Sequence, residues 1–260
     1  MKKYKMLLFD LDGTLLRSDK TISERNIAAL RECGERGILI GIATSRGEKN
    51  TLSFLNVLDS DILITSGGAL IKYCGRYIYK AEFSENETNR LIAAVQEICG
   101  ADCEITADTV NSHYWNYKTD PWEQDPSWEN SIYTDFRNFQ ERTLKICAEI
   151  FDSRCADRLI KLLPECDCKR FSDGYWYKFT KKGITKENAA AEICRKCRIA
   201  PDEIIAFGDD LADAGMLKLC GIGVAMENSA NEVKEKADIV IGNNDSDSIA
   251  DFLEKTFCLM

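Results

Sequence analysis

The chain has 260 residues, 45% of them hydrophobic, and a formal net charge of -9. That length suits one large domain or two modest ones, and the apolar fraction is ample for a core. No stretch reaches the roughly 18 consecutive apolar residues of a membrane helix, and no basic block marks a nucleic-acid footprint, so neither membrane nor nucleic acid is an expected partner.

The first residues, Met1-Lys2-Lys3-Tyr4-Lys5, imitate a leader peptide, but Asp10 and Asp12 break the apolar stretch that follows and no small-residue cleavage site appears. A cytoplasmic protein is expected. Residues 4–9 form a short apolar run suited to a buried strand. Ser23 can cap a helix whose inward face is Ile27, Leu30 and Cys33 and which ends near Gly37. Residues 38–43 and 62–65 are two further continuous apolar runs. Strands apolar on both faces, separated by amphipathic helices, predict a parallel sheet covered on both sides. The same alternation returns late in the chain, with a helix over 187–197, strands over 204–207, 221–225 and 238–241, and a helix over 230–236.

The middle of the chain is different. It holds all four tryptophans and three of the four prolines, and it mixes a helical stretch (88–99) with strand-like pieces (144–150, 176–179). The expected organisation is therefore a doubly wound, Rossmann-like α/β core from 1–82 and 180–260, with an α+β domain inserted over 83–179.

Ligands of open α/β sheets bind beyond the carboxyl ends of the strands, so the residues just past each strand carry the chemistry. Asp10-Leu11-Asp12-Gly13-Thr14 follows the first strand. A carboxylate there can act as a nucleophile, and its neighbour two residues on can serve as proton donor and acceptor. Taken alone the motif also fits a turn or a fragment of a calcium loop. Thr44-Ser45-Arg46 follows the second strand and offers hydroxyls and a cation to a phosphate, or simply caps a helix. Lys186 opens a helix after Thr185, an electrostatically poor place for a lysine unless an anion is near. Asp209, Asp210 and Asp213 cluster after the strand at 204–207, and carboxylates so grouped repel one another unless a cation lies among them.

Together, in this order, these four places resemble the haloacid dehalogenase-like superfamily, specifically its Cof-type phosphatases with a large type IIB cap. The stretch Gly223-Val224-Ala225-Met226-Glu227-Asn228-Ser229 adds to the likeness. The resemblance implies Asp10 as nucleophile, Asp12 as general acid and base, and Thr44 and Lys186 as catalytic contacts to phosphate, with Ser45 and Arg46 also substrate-binding. It implies Mg²⁺ held by Asp10, the Asp12 backbone carbonyl and Asp209, with Asp213 bound directly or one shell out. The implied activity is hydrolysis of small phosphorylated metabolites, sugar phosphates first, through an aspartyl-phosphate. A sugar-phosphate phosphotransferase or mutase, or a non-catalytic phospho-ligand module, is the alternative. A monomer or weak homodimer is expected.

Three positions depart from the family pattern: Ala212 and Gly67 where asparagine is usual, and Ser45 where glycine is common. His113, Tyr114, Trp115 and Asp173 of the inserted segment could meet the rest of a substrate, or could equally serve packing. The twelve cysteines include one C-x-x-C, Cys194 and Cys197, without a partner pair at zinc spacing, and His113 is the only histidine. Reduced, mostly packed thiols are expected.

Overall fold

The computed structural model describes residues 4–120, 123, 128, 131–171 and 174–259. In chain order the elements are β1 (Met6–Phe9), α1 (Glu24–Glu35), β2 (Leu39–Ala43), α2 (Leu52–Leu55), β3 (Ile62–Thr65), β4 (Leu70–Tyr73) and β5 (Arg76–Lys80). Next come α3 (Glu85–Cys99), β6 (Ile105–Asp108), β7 (His113–Trp115), β8 (Ile132–Tyr133), β9 (Lys145–Glu149), α4 (Ser153–Leu162), β10 (Cys166–Arg170) and β11 (Trp176–Lys181). The chain finishes with α5 (Lys186–Cys197), β12 (Ile204–Gly208), α6 (Ala214–Leu219), β13 (Ile222–Met226), α7 (Asn231–Lys234), β14 (Ile239–Ile241) and α8 (Ser248–Phe257).

These elements sort into two compact units. The first comprises Met1–Ser45, Phe54–Ile78 and Thr185–Met260; the second comprises Arg46–Ser53 and Tyr79–Ile184. The sequence pattern puts the insertion at 83–179. The second unit is longer at both ends and also takes in Arg46–Ser53, where Gly47 packs so closely on the Asp108 carboxylate that a Cβ there would lie 2.9 Å from its Cγ.

The first unit is built on a sheet of order β14-β13-β12-β1-β2-β3-β4-β5. From β14 to β3 every pairing is parallel, with Phe9 opposite both Phe207 and Ile42. All four residues of β1 are buried, as an apolar run in the middle of a doubly covered sheet must be. Alternate side chains serve opposite layers. Leu7 and Phe9 pack with Leu30 of α1 and Leu253 of α8, whereas Met6 and Leu8 pack with Ile193 of α5 and Leu217 of α6. The expected α/β doubly wound core is therefore present. The pattern did not anticipate β4, which turns back antiparallel on β3 and extends the sheet edge. The helix read over 230–236 is confined to the single turn Asn231–Lys234.

Ser23 caps α1 as its type predicts, its hydroxyl accepting the Asn26 N–H at 3.1 Å. In the second unit Ser84 and Glu87 form a reciprocal capping box on α3. There the sheet order is β10-β11-β9-β6-β7-β8, antiparallel except between β7 and β8. One face, including Ile105, Ala107, Ile146, Ala148 and Phe179, packs on Leu91 and Val95 of α3 and Leu159 of α4. The other carries Asp108, His113 and Lys145, all buried. Lys145 Nζ lies 2.8 Å and His113 Nδ1 2.6 Å from the Asp108 carboxylate. Burial alone would raise the Asp108 carboxyl, but Lys145 and His113 outweigh it and hold it well below the usual range.

Among the described residues, no helix is long and apolar enough to cross a membrane. All twelve cysteines are free thiols.

Candidate active site

Parallel pairing brings the ends of β1 and β12 side by side, and Asp10 N–H continues the ladder to Phe207 O at 3.0 Å. Asp10 thus leaves β1 beside the loop that carries Asp209 and Asp213. Carboxylate oxygens of Asp10, Asp209 and Asp213 all lie within 4.8 Å of one another. Lys186, the first residue of α5, reaches the same point. Its Nζ donates to Asp10 Oδ1 and to Asp213 Oδ1, each at 2.6 Å. Thr185 caps that helix through the Asn188 N–H, so the side chain that opposes the helix dipole is held by two buried acids.

Three carboxylates against one ammonium leave two excess negative charges in a place where Asp10, Lys186 and Asp213 are all buried. That imbalance favours protonation of the acids. Burial first, then the charge of Asp213, pushes the Asp10 carboxyl well above its usual range despite Lys186. Burial also drives Asp209 up to about 7, with Asp213 adding to it and a hydrogen bond from Thr14 opposing it. For Lys186 burial disfavours the charge, yet Asp10 and Asp213 together raise it above the ordinary lysine value. A cluster in this condition has the charge and the hard oxygen donors that suit a divalent cation such as Mg²⁺.

The surroundings fix this geometry. Thr14 Oγ1 donates to Asp209 Oδ1 at 2.7 Å. Asp213 Oδ2 accepts the backbone N–H groups of Asp209 and Asp210 at 3.2 and 3.1 Å, which folds the acidic loop around it. Gly13 has φ +74°, and any Cβ there would collide with the Asp209 carboxylate, so the backbone must be bare where the two loops meet. Asn228 donates from Nδ2 to Gly13 O at 2.7 Å and accepts the Asn244 N–H at 3.0 Å, pinning that same turn from behind.

Of the residues singled out from the sequence, Asp10, Lys186, Asp209 and Asp213 are brought together. Thr44 is buried at the end of β2, next to β1, with its N–H on Ile64 O and its carbonyl accepting the Gly67 N–H. Ser45 follows it, half-buried. Arg46 packs with the second unit, its guanidinium carbon 5.2 Å from the centre of the Trp128 ring. The Asp12 side chain lies outside the carboxylate cluster and pairs with Lys20 Nζ at 2.8 Å. Ala212, in place of the usual asparagine, donates its N–H to Asp210 Oδ1.

In the second unit His113 is buried against Trp128, Tyr114 meets the edge of Phe139, and Trp115 is buried between Tyr117 and Tyr133. Asp173 lies outside the described residues. Sequence reasoning did not single out Thr14, Lys20 or Asn228. The first sits inside the D-x-D-G-T motif and the third inside the Gly223–Ser229 stretch, but nothing in the sequence marks Lys20.

A family model for haloacid dehalogenase-like hydrolases matches residues 7–253. The chain belongs to that family. Its similarity to a 5-amino-6-(5-phospho-D-ribitylamino)uracil phosphatase of Bacillus subtilis is 28% identity over 255 residues, covering 95% of this chain and 93% of the relative. A pyridoxal phosphate phosphatase of Escherichia coli is 26% identical over 266 residues, with 96% and 97% covered. Among solved structures, a haloacid dehalogenase subclass IIB sugar phosphatase is 26% identical with a TM-score of 0.82, covering 98% of this chain and all of the other. A phosphatase of the superfamily from Bacteroides thetaiotaomicron is 25% identical with a TM-score of 0.84, covering 99% and 97%. The resemblance drawn from the four strand-end motifs and the large inserted domain thus holds for the family, the fold and the hydrolase class.

Proposed function

We propose that this haloacid dehalogenase-like hydrolase is a Mg²⁺-dependent phosphatase of small phosphorylated metabolites that works through a phosphorylated Asp10. The observation carrying the reading is the union of Asp10, Asp209 and Asp213 with Lys186 at the ends of adjacent parallel strands. Phosphate monoester hydrolysis is extremely slow without a catalyst, so a site must orient a nucleophile and offset charge on the phosphoryl oxygens.

In this reading Lys186 holds Asp10 Oδ1 and leaves Oδ2 to attack phosphorus. The Asp10 O–P bond forms as the P–O bond to the substrate alcohol breaks, and Asp12 gives its proton to the departing oxygen. Asp12 then takes a proton from water as that water attacks phosphorus and the bond to Asp10 breaks. Thr44 and Ser45 bind phosphate oxygens. Asp10, Asp209 and the Asp12 backbone carbonyl would hold the metal, which when bound neutralises phosphoryl charge. Asp213, whose two oxygens are already engaged by Lys186 and by two backbone N–H groups, keeps both the lysine and the acidic loop in place.

The substrate class is sugar phosphates first, with pyridoxal phosphate or flavin mononucleotide behind them; similar proteins named as a sugar phosphatase and a pyridoxal phosphate phosphatase support the first two. The protein acts as a monomer or weak homodimer in the cytoplasm. A screen of phosphorylated metabolites with released phosphate as the readout tests the reading. D10N should lose all turnover, and EDTA should abolish activity reversibly, with Mg²⁺ restoring it. Full activity of D10N, or activity indifferent to EDTA, would sink the proposal, and phosphate passed to a second sugar instead of to water would favour the phosphotransferase.

A further inference from the structure

The Asp12 side chain stands apart from the carboxylate cluster, and it is met by a cation no motif predicts. Lys20 Nζ lies 2.8 Å from Asp12 Oδ1, in a pair whose side chains are 38% and 37% exposed. An ion pair this exposed contributes little to stability, about 1 kcal/mol at most. The turn that delivers it is nevertheless elaborately fixed. Lys20 has φ +65°, a left-handed conformation that costs a long side chain free energy. The turn is closed by Arg17 N–H on Thr21 O and Lys20 N–H on Arg17 O, at 2.8 and 2.9 Å.

It is also staked to the loop before α8. Ser18 N–H and Oγ both donate to Asp245, Arg17 pairs with Asp247, and Asn244 Nδ2 donates to Leu16 O. Six hydrogen bonds thus hold a strained surface turn that presents an ammonium to Asp12 Oδ1.

We propose that Lys20 is a positioning residue for Asp12: by holding Oδ1 it fixes the carboxyl rotamer so that Oδ2 faces the oxygen that gains or loses a proton. This rests on the assignment of Asp12 as proton donor and acceptor made above. Lys20 itself transfers nothing. In the first step the proton moves from Asp12 Oδ2 to the leaving oxygen as the P–O bond breaks, and in the second it returns to Oδ2 from water.

The test compares two substrates of unequal leaving group by kcat/KM, which reports the step in which that group departs. An alkyl phosphate needs the proton, whereas 2,4-dinitrophenyl phosphate expels a stable phenolate without it. In K20M, kcat/KM for the alkyl phosphate should fall about tenfold, a part of the 10²–10⁴ that a positioned acid supplies, and that for the dinitrophenyl ester should change less than about twofold. K20R should recover most of the loss, and the melting temperature of either variant should fall by no more than about 4 °C.

Equal losses on both substrates, or none, would overturn the role of Lys20, because a phosphate contact affects both esters and an idle surface pair affects neither. D12N measured alongside separates the two ideas. A leaving-group split in D12N but not in K20M removes only the Lys20 proposal. No split in D12N removes the proton-donor assignment on which it rests.

Discussion

At the scale of single residues, the site is governed by charge that its own side chains leave unbalanced. Lys186 is 3% exposed between Asp10 and Asp213, so replacing it removes the only cation in contact with two buried acids among the described contacts. K186M should cost about 3 kcal/mol in metal-free protein, as breaking a buried pair does, read from a urea transition, and should abolish turnover; an unchanged transition would contradict the pairing. Asp209 makes a signed pH prediction. Its folded carboxyl titrates near 7, against an ordinary value of 3.8, so the folded state binds the proton more tightly than the unfolded chain. The stability this gives is fully present below about pH 4 and is lost as pH rises through 7. D209N, which has no proton to lose, should therefore gain stability relative to the metal-free wild type between pH 5 and pH 8. Parallel stability curves for the two proteins over that range would refute the shift.

At the scale of elements, positions that look minor decide where the acids point. Asp10 is useful because β1 pairs on both sides with parallel strands and cannot slip, and Asp209 because Thr14 and the bare backbone of Gly13 leave it room. G13A puts a Cβ both in a left-handed conformation and into the Asp209 carboxylate. It should lose activity and Mg²⁺-induced stabilisation together, whereas S23A at the start of α1 should cost about 1 kcal/mol of stability and leave kcat intact. In the second unit a buried ion-pair cluster ties β6, β7 and β9 together in addition to their backbone ladders. D108A withdraws the carboxylate from two buried basic side chains and should destabilise the protein by about 3–5 kcal/mol, measured by denaturant unfolding. Because the Asp108 carboxyl is held low, its contribution is present above about pH 4 and fails only as pH falls toward its depressed value.

At the scale of the whole molecule, each unit has its own apolar core, and the proposed metal ligands all belong to the first. Ligand bound to the native state stabilises it by RT ln(1 + [L]/Kd), about 2.7 kcal/mol at a hundredfold excess over Kd. Mg²⁺ should therefore slow amide exchange along β1 and β12 and leave β9 and β11 unchanged; equal protection of both sheets would place the metal elsewhere. The parallel core was legible because 4–9, 38–43 and 204–207 are apolar on both faces, a composition only a doubly covered sheet satisfies. The candidate site was legible because ligands of such sheets bind beyond strand ends, which put Asp10 and Asp209 in view, and because a lysine at a helix N-terminus, Lys186, asks for a nearby anion. The sheet of the second unit was only partly legible: 144–150 and 176–179 read as strand-like, but β6, β7 and β8 are too short to announce a period and β10, Cys166–Arg170, has charged residues at three of its five positions. The sequence by itself determined the family, the nucleophile candidate and the acidic loop, because motif spacing along the chain is local information. Only the tertiary structure decided that Arg46 packs with the inserted unit, that Asp213 anchors Lys186, and that Asp12 turns to Lys20. Those contacts join segments that no local pattern links, through a left-handed turn and loops whose positions are set by tertiary hydrogen bonds and packing.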